Sequence, residues 1–125
     1  MRYEKIDFDV PEFDGLGYKE FVNSLFKDMC DRRSDLMHAA AGIAGESGEV
    51  LDIIKKHWAY DKPLQIEKLV EELGDVLFYI YAMSLLIGID VETIIQYNQH
   101  KLSKRYSSGK YSNEQAIARA DGGAQ

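Results

Sequence analysis

LVEELGDVLFYIYAMSLLIG, Leu69 to Gly88, is the stretch that decides the fold. Leu69, Leu73, Val76 and Ile80 recur at three- and four-residue spacing, the period of an α-helix. From Val76 onward the stretch is apolar on almost every side, and Gly88 supplies a stop. A helix of that kind is either central in its own chain or lies against a second subunit. Ser84, Gly88 and the two tyrosines Tyr79 and Tyr81 interrupt it, and it falls short of the ~20 apolar residues that cross a bilayer, so no membrane span is expected.

The flanking blocks are helical too. Asp61 and Pro63 mark the loop before this helix, and a preceding helix is expected from a cap at Ser34 or Asp35 to about His57. Its Leu36, Ile43, Val50 and Ile54 make one stripe, with Ala39, Ile53 and His57 beside it. Phe21, Val22, Leu25, Phe26 and Met29 predict a first helix from Tyr18 to about Asp31. After Gly88, Asp90 offers a cap for a fourth helix, Val91 to about Tyr106, ended by Ser107, Ser108 and Gly109. A short helix from Asn113 to Ala120 is expected in the tail, residues 107–125, with Asp121 to Gln125 fraying. Residues 1–17, with Pro11, Gly15 and Gly17, read as an irregular arm. Strand signals are nearly absent. The expectation is a single all-α domain over residues 1–125, a four-helix-bundle-like protomer of antiparallel helices that assembles by helix packing into a homodimer or homotetramer.

A formal charge of −6 and a pI near 5.0 argue against nucleic acid or an anionic membrane as the main partner, since both begin with a basic patch. Cys30 is the one cysteine, so neither an intramolecular disulfide nor a multi-cysteine metal site is available, as suits a reducing compartment. No basic start and apolar core follow Met1, and the cytoplasm is the expected address.

Acids fall where core is expected. Around the second helix Glu46 lies only about 50° from the middle of the apolar stripe, and Glu49, one turn on, shares its flank. In the third helix Glu72 and Asp75 repeat the arrangement at i and i+3. Four carboxylates converging on a partly dry space repel one another, and a divalent cation resolves the conflict. Oxygen ligands without His or Cys suit Mg²⁺, or Mn²⁺ in its place, and Mg²⁺ commonly shares its shell with phosphates. A solvated helix face carries such acids as well, and periodicity leaves both readings open.

His38, Gly42, Gly45 and Glu49 lie along one stripe, with Gly48 close by. Each helical glycine costs about 1 kcal/mol against Ala, so close packing or the approach of a ligand must offset it; packing is the stronger reading at Gly48. Asn98, Lys101 and Arg105 share a face of the fourth helix at i, i+3 and i+7. By themselves they read as an exposed polar face. Against a metal-filled acidic pocket they would bind outer phosphates, Lys as a point charge and Arg as a fork.

Gly45-Glu46-Ser47-Gly48-Glu49, then Glu71-Glu72-Leu73-Gly74-Asp75-Val76, then Asn98-Gln99-His100-Lys101-Leu102 with Arg105-Tyr106, strongly resembles the MazG-like all-α nucleoside triphosphate pyrophosphohydrolases, from about Leu36 to Tyr106. The resemblance implies hydrolysis between the α- and β-phosphates of a nucleoside triphosphate, giving a monophosphate and pyrophosphate, as nucleotide-pool housekeeping. It implies that Glu46, Glu49, Glu72 and Asp75 hold Mg²⁺, with Glu46 or Glu49 as general base. Asn98 and Lys101 would contact phosphates, with Arg105 helping. His38 would belong with Phe21, Phe26, Trp58 and Tyr79 among the candidates around the base. A dimer or dimer of dimers is implied as well.

Two other readings compete. One is a narrow dUTP- or dCTP-type deoxynucleotide pyrophosphatase; the other is a non-catalytic helical oligomer that binds Mg²⁺ and nucleotide. A di-iron carboxylate bundle is excluded by the lack of any Glu-x-x-His, and neither a P-loop, a His-Glu-x-x-His nor a complete Gly-x-Gly-x-x-Gly occurs.

Overall fold

The computed structural model describes residues 3–122, in which five helices follow one another: α1 (Tyr18–Leu25), α2 (Arg32–Ala59), α3 (Ile66–Ile87), α4 (Val91–Arg105) and α5 (Asn113–Ala118). No strand occurs among the described residues. Residues 1–2 and 123–125, part of the arm and of the expected frayed end, lie outside them.

α1 stops six residues before the expected Asp31, and local hydrogen bonding explains it. The Asp28 carboxylate accepts the Cys30 N–H (2.7 Å) and the Asp35 carboxylate accepts the Met29 N–H (2.8 Å), which gives this backbone an alternative to helix. Cys30 adopts a left-handed φ of 70° in the turn. Asp31, rather than Ser34 or Asp35, caps α2, accepting from the Ser34 N–H at 2.9 Å and the Ser34 hydroxyl at 2.7 Å. At the other boundary Gly88 ends α3 at φ 72° as expected, and the Ile89 N–H donates to the Ser84 carbonyl at 3.1 Å. Asp90 occupies the cap position of α4, but its side chain pairs with Lys19 (3.2 Å) instead of capping.

α2 and α3 form an antiparallel pair, with Gly42 against Tyr79 and Glu46 beside Asp75. Edge-to-face contact of Tyr18 with Tyr81 (centroids 4.8 Å apart) helps dock α1 on α3. α4 turns away from α3 at 97° and packs on α3 and α5, without contact between α2 and α4. The protein is therefore all-α as expected, while its four longer helices do not close into an antiparallel bundle within one chain. The three residues Gly88 to Asp90 between α3 and α4 set that angle, which helical periodicity does not encode.

Burial follows from this open arrangement. Among the described residues Val22, Ala39, Ile53, Ala82 and Val91 are the buried apolar ones, and the two alanines let α2 and α3 approach. Of the expected α2 stripe, Leu36, Ile43 and Val50 are half-buried and Ile54 is exposed. Val70, Leu73 and Leu77 run exposed along α3, and Trp58 is 84% exposed in the last turn of α2. No single helix is long and apolar enough to cross a membrane. The arm carries Ile6, Val10 and Phe13 exposed, although Phe13 reaches Phe21 edge-on at 5.2 Å.

Asp121 is anchored rather than frayed. Its carboxylate takes both the Nε (2.8 Å) and an Nη (3.1 Å) of Arg105, with the Asp121 side chain 1% exposed. The Arg105 fork holds this carboxyl below its usual range.

The glycines divide differently from the sequence expectation. At Gly42 a Cβ would collide with the Tyr79 ring, whereas at Gly45, Gly48 and Gly74 it would meet nothing within 4 Å. Packing thus accounts for Gly42 and not for Gly48. Gly42→Ala is expected to lower Tm by forcing Tyr79 out of the α2/α3 seam. Gly48→Ala should instead stabilise the metal-free protein by about 0.5–1 kcal/mol, the usual helical advantage of Ala. Thermal melts of both variants check the pair.

Candidate functional site

Glu72 and Asp75, three apart on α3, point to one side of that helix, and the antiparallel register brings Glu46 of α2 to meet them. One carboxylate oxygen from each of Glu46, Glu72 and Asp75 lies within 4.8 Å of the others. Glu46 and Glu72 are half-buried and Asp75 is exposed, so the cluster opens to solvent on one side.

The Glu46 carboxyl is held above its ordinary value. Burial is the largest cause, followed by a hydrogen bond with Glu72 and by the charges of Asp75, Glu72 and Glu49. A carboxyl–carboxylate hydrogen bond needs one shared proton, so the pair resists full ionisation. Glu49 stands outside the three-residue cluster and is exposed, yet close enough for its charge to act on Glu46. The Tyr18 hydroxyl is raised as well, by burial first and then by Tyr81 and Asp75. That places the start of α1 beside the acids, a neighbour that sequence reasoning missed because nothing in a lone tyrosine signals it.

Two turns along the seam, the His38 ring stacks on Phe26 (centroids 4.6 Å apart, 21° between planes) and meets the edge of Tyr79 at 5.9 Å. Its Nδ1 is buried without a hydrogen-bond partner. His38, Phe26 and Tyr79 are thus gathered into one aromatic cluster. Phe21 packs instead with Phe13 and Tyr18, and Trp58 projects from the far end of α2.

The cationic face is not brought to the acids within the chain. Asn98 is exposed and Lys101 half-buried on α4, which has no contact with α2. Arg105 already holds Asp121, with its side chain 15% exposed. Sequence reasoning gave no sign of this, because the partner lies sixteen residues away in a segment expected to fray.

Three oxygen donors from two rigid helices, with no nitrogen or sulfur among them, fit a hard divalent cation such as Mg²⁺ or Mn²⁺. The raised Glu46 carboxyl is what such an ion would relieve. Fold and site together define an all-α protein with a carboxylate cluster suited to a hard cation. Residues 36–109 match the family described as the MazG nucleotide pyrophosphohydrolase domain. That span includes α3 and α4 and most of α2, and the chain belongs to this family. It is also similar to the Gene 37 protein of Mycobacterium phage L5, 32% identical over 85 residues, which are 64% of this chain and 74% of that protein. No solved structure matches.

The raised Glu46 carboxyl has a pH signature. The folded chain holds this proton more tightly than the unfolded chain, whose value is 4.5. The resulting stability is complete below the unfolded value and is lost as pH rises through the folded one. Metal-free Glu46→Gln is therefore expected to melt higher than the parent at about pH 7, with the gain gone at about pH 4. Mg²⁺ should raise the parent's Tm at about pH 7 more than the variant's. Melting curves with and without Mg²⁺ at both pH values test this; equal curves for the two proteins would remove the repulsion from the site.

Proposed function

We propose that this protein hydrolyses nucleoside triphosphates between the α- and β-phosphates, releasing a nucleoside monophosphate and pyrophosphate, with Mg²⁺ as cofactor and Mn²⁺ as a substitute. The observation that carries the reading is the Glu46, Glu72 and Asp75 cluster inside the family-matched span. A divalent cation bound there supplies charge neutralisation for the phosphates and polarises the attacking water.

The chain's own groups do the rest. Glu46, Glu72 and Asp75 would hold the cation, from two helices whose register fixes their spacing. Glu49, outside the cluster but beside it, is the carboxylate left to take the water's proton, with Glu46 the alternative. As the water oxygen bonds to the α-phosphorus, the bond to the bridging oxygen breaks and pyrophosphate leaves with the electron pair. Asn98 and Lys101, which the single chain does not bring to its own acids, would serve as phosphate contacts from a second copy of the chain, and His38 would lie on the base side of the site. Arg105 would help them, its charge shared with Asp121. Nucleotide-pool housekeeping in the cytoplasm is the role this activity suits.

Incubating the protein with Mg²⁺ and a panel of ribo- and deoxynucleoside triphosphates, then identifying products, tests the reaction. Monophosphate plus pyrophosphate is expected from the parent and neither from Glu72→Gln, whose circular dichroism should be unchanged. Orthophosphate alone, or intact triphosphates, would defeat the proposal and favour nucleotide binding without turnover.

A homodimer or homotetramer completes the reading. Val70, Leu73 and Leu77 share one exposed face of α3, and such contiguous apolar rows mark subunit contacts. Light scattering should give two or four times the 14.2 kDa chain mass, and Leu73→Glu with Leu77→Glu should give the single-chain mass. A monomeric parent would refute the assembly.

A further inference from the structure

A second feature lies farther along the α2/α3 seam. A cavity of about 320 Å³ opens between the end of α1, the start of α2 and the end of α3, lined by Asn23, Phe26, Asp28 and Asp35, with Ala82 and Leu86 behind. Phe26 joins it to the aromatic cluster, since the other side of that contact is His38. By the helical rise of 1.5 Å per residue, Ala82 lies about 10 Å along α3 from Asp75. That separation is comparable with the reach of a nucleoside from its α-phosphate, so a triphosphate held at the acids could extend its base past the rings into this cavity.

The polar groups there are unequal. Asp28 and Asp35 each use one oxygen to accept a backbone N–H and keep the other, and neither is in an ion pair among the described residues. Arg32, the nearby cation, donates to the Leu86 carbonyl at 3.2 Å. Arg32 does not line the cavity, and among the side chains that do the spare capacity is acceptor capacity, with the Asn23 amide as the neutral group able to donate and accept. Carboxylates accept from amino groups on base edges and repel carbonyl oxygens.

We infer that this cavity is the base subsite and that it selects cytosine and adenine, whose exocyclic amine lies on the edge away from the sugar, over uracil and thymine. The inference rests on the triphosphate reading of the acidic cluster. Asp35 and Asp28 accept from the amine, Asn23 serves the neighbouring ring nitrogen, and Phe26 supplies an apolar wall. Uracil and thymine would set a carbonyl oxygen against a carboxylate in the same place.

The test measures kcat/KM with Mg²⁺ for dCTP, CTP, dATP and ATP against dUTP, UTP and dTTP, in the parent, Asp35→Asn and Asn23→Ala. A preference for the amino bases of about tenfold or more is expected, the size of one good base contact. In Asp35→Asn, which retains an oxygen for the Met29 N–H, the ratio should fall toward one. Asn23→Ala, which removes no backbone bond, should lower it too and keeps the test open if Asp35→Asn fails to fold. Equal use of all bases, preference for uracil or thymine, or an unchanged ratio in a folded variant would overturn the subsite.

A second readout separates failure of the subsite from failure of the reaction. Melting shifts with CMP and AMP against UMP and TMP need no turnover. If no triphosphate is cleaved, larger shifts with CMP and AMP that disappear in a folded variant still support the cavity. Shifts independent of base, or none, count against it.

Discussion

Glu46, Glu72 and Asp75 repel one another, and the α2/α3 seam holds them together regardless. Isolated carboxylates on a flexible surface would separate into water. Here each is fixed to a helix, and the helices are locked by contacts on either side of the acids: Ile53 is buried toward one end, and Ala39 and Ala82 toward the other. Gly42 lets the Tyr79 ring lie directly on the α2 backbone. The register that buries these residues is the same one that juxtaposes the acids. Sliding one helix past the other to relieve the repulsion would unseat Tyr79.

The stabilising devices sit away from that strain. Asp31 caps α2 with two hydrogen bonds, Gly88 ends α3 in the left-handed conformation it tolerates, and Arg105 grips Asp121 to hold the segment beyond α5 against α4. These local solutions are independent of the acids, so the cluster can remain unfavourable by itself without unravelling the chain. Departures from ordinary burial rules concentrated at one place, with regular chemistry elsewhere, are the pattern expected of a functional site.

The helices and the acidic cluster were readable because both depend on one-dimensional spacing. Apolar residues at three and four set α2 and α3, and Glu72 with Asp75 at i and i+3 must share a side of a helix. Glu49 illustrates the limit: spacing puts it on the flank of Glu46, where its charge acts on that carboxyl, but it stands outside the cluster of three. The early end of α1 depends on Asp28 and Asp35 competing for backbone N–H groups, a choice that apolar periodicity does not register. The 97° departure of α4 and the Arg105–Asp121 pair are tertiary facts. Neither leaves a local signature, so periodicity suggests a closed four-helix bundle and a fraying Asp121 where α4 turns away from α3 and Arg105 holds Asp121.

Glycine usage gives the last link between the strained seam and its chemistry. Gly45 precedes Glu46, Gly48 precedes Glu49 and Gly74 precedes Asp75, and a Cβ at any of the three glycines would touch nothing within 4 Å. Intrachain packing therefore explains none of them, although each costs helix stability. Their common property is bare backbone next to an acid, on both helices of the pair. From there the seam changes character in a fixed order: carboxylates, then the Tyr79, His38 and Phe26 rings, then the cavity with Asp28, Asp35 and Asn23. A ligand with a charged end, a flat apolar body and a hydrogen-bonding edge matches that order. Repulsion at one end and carboxylates with an oxygen to spare at the other then become two halves of a single recognition problem.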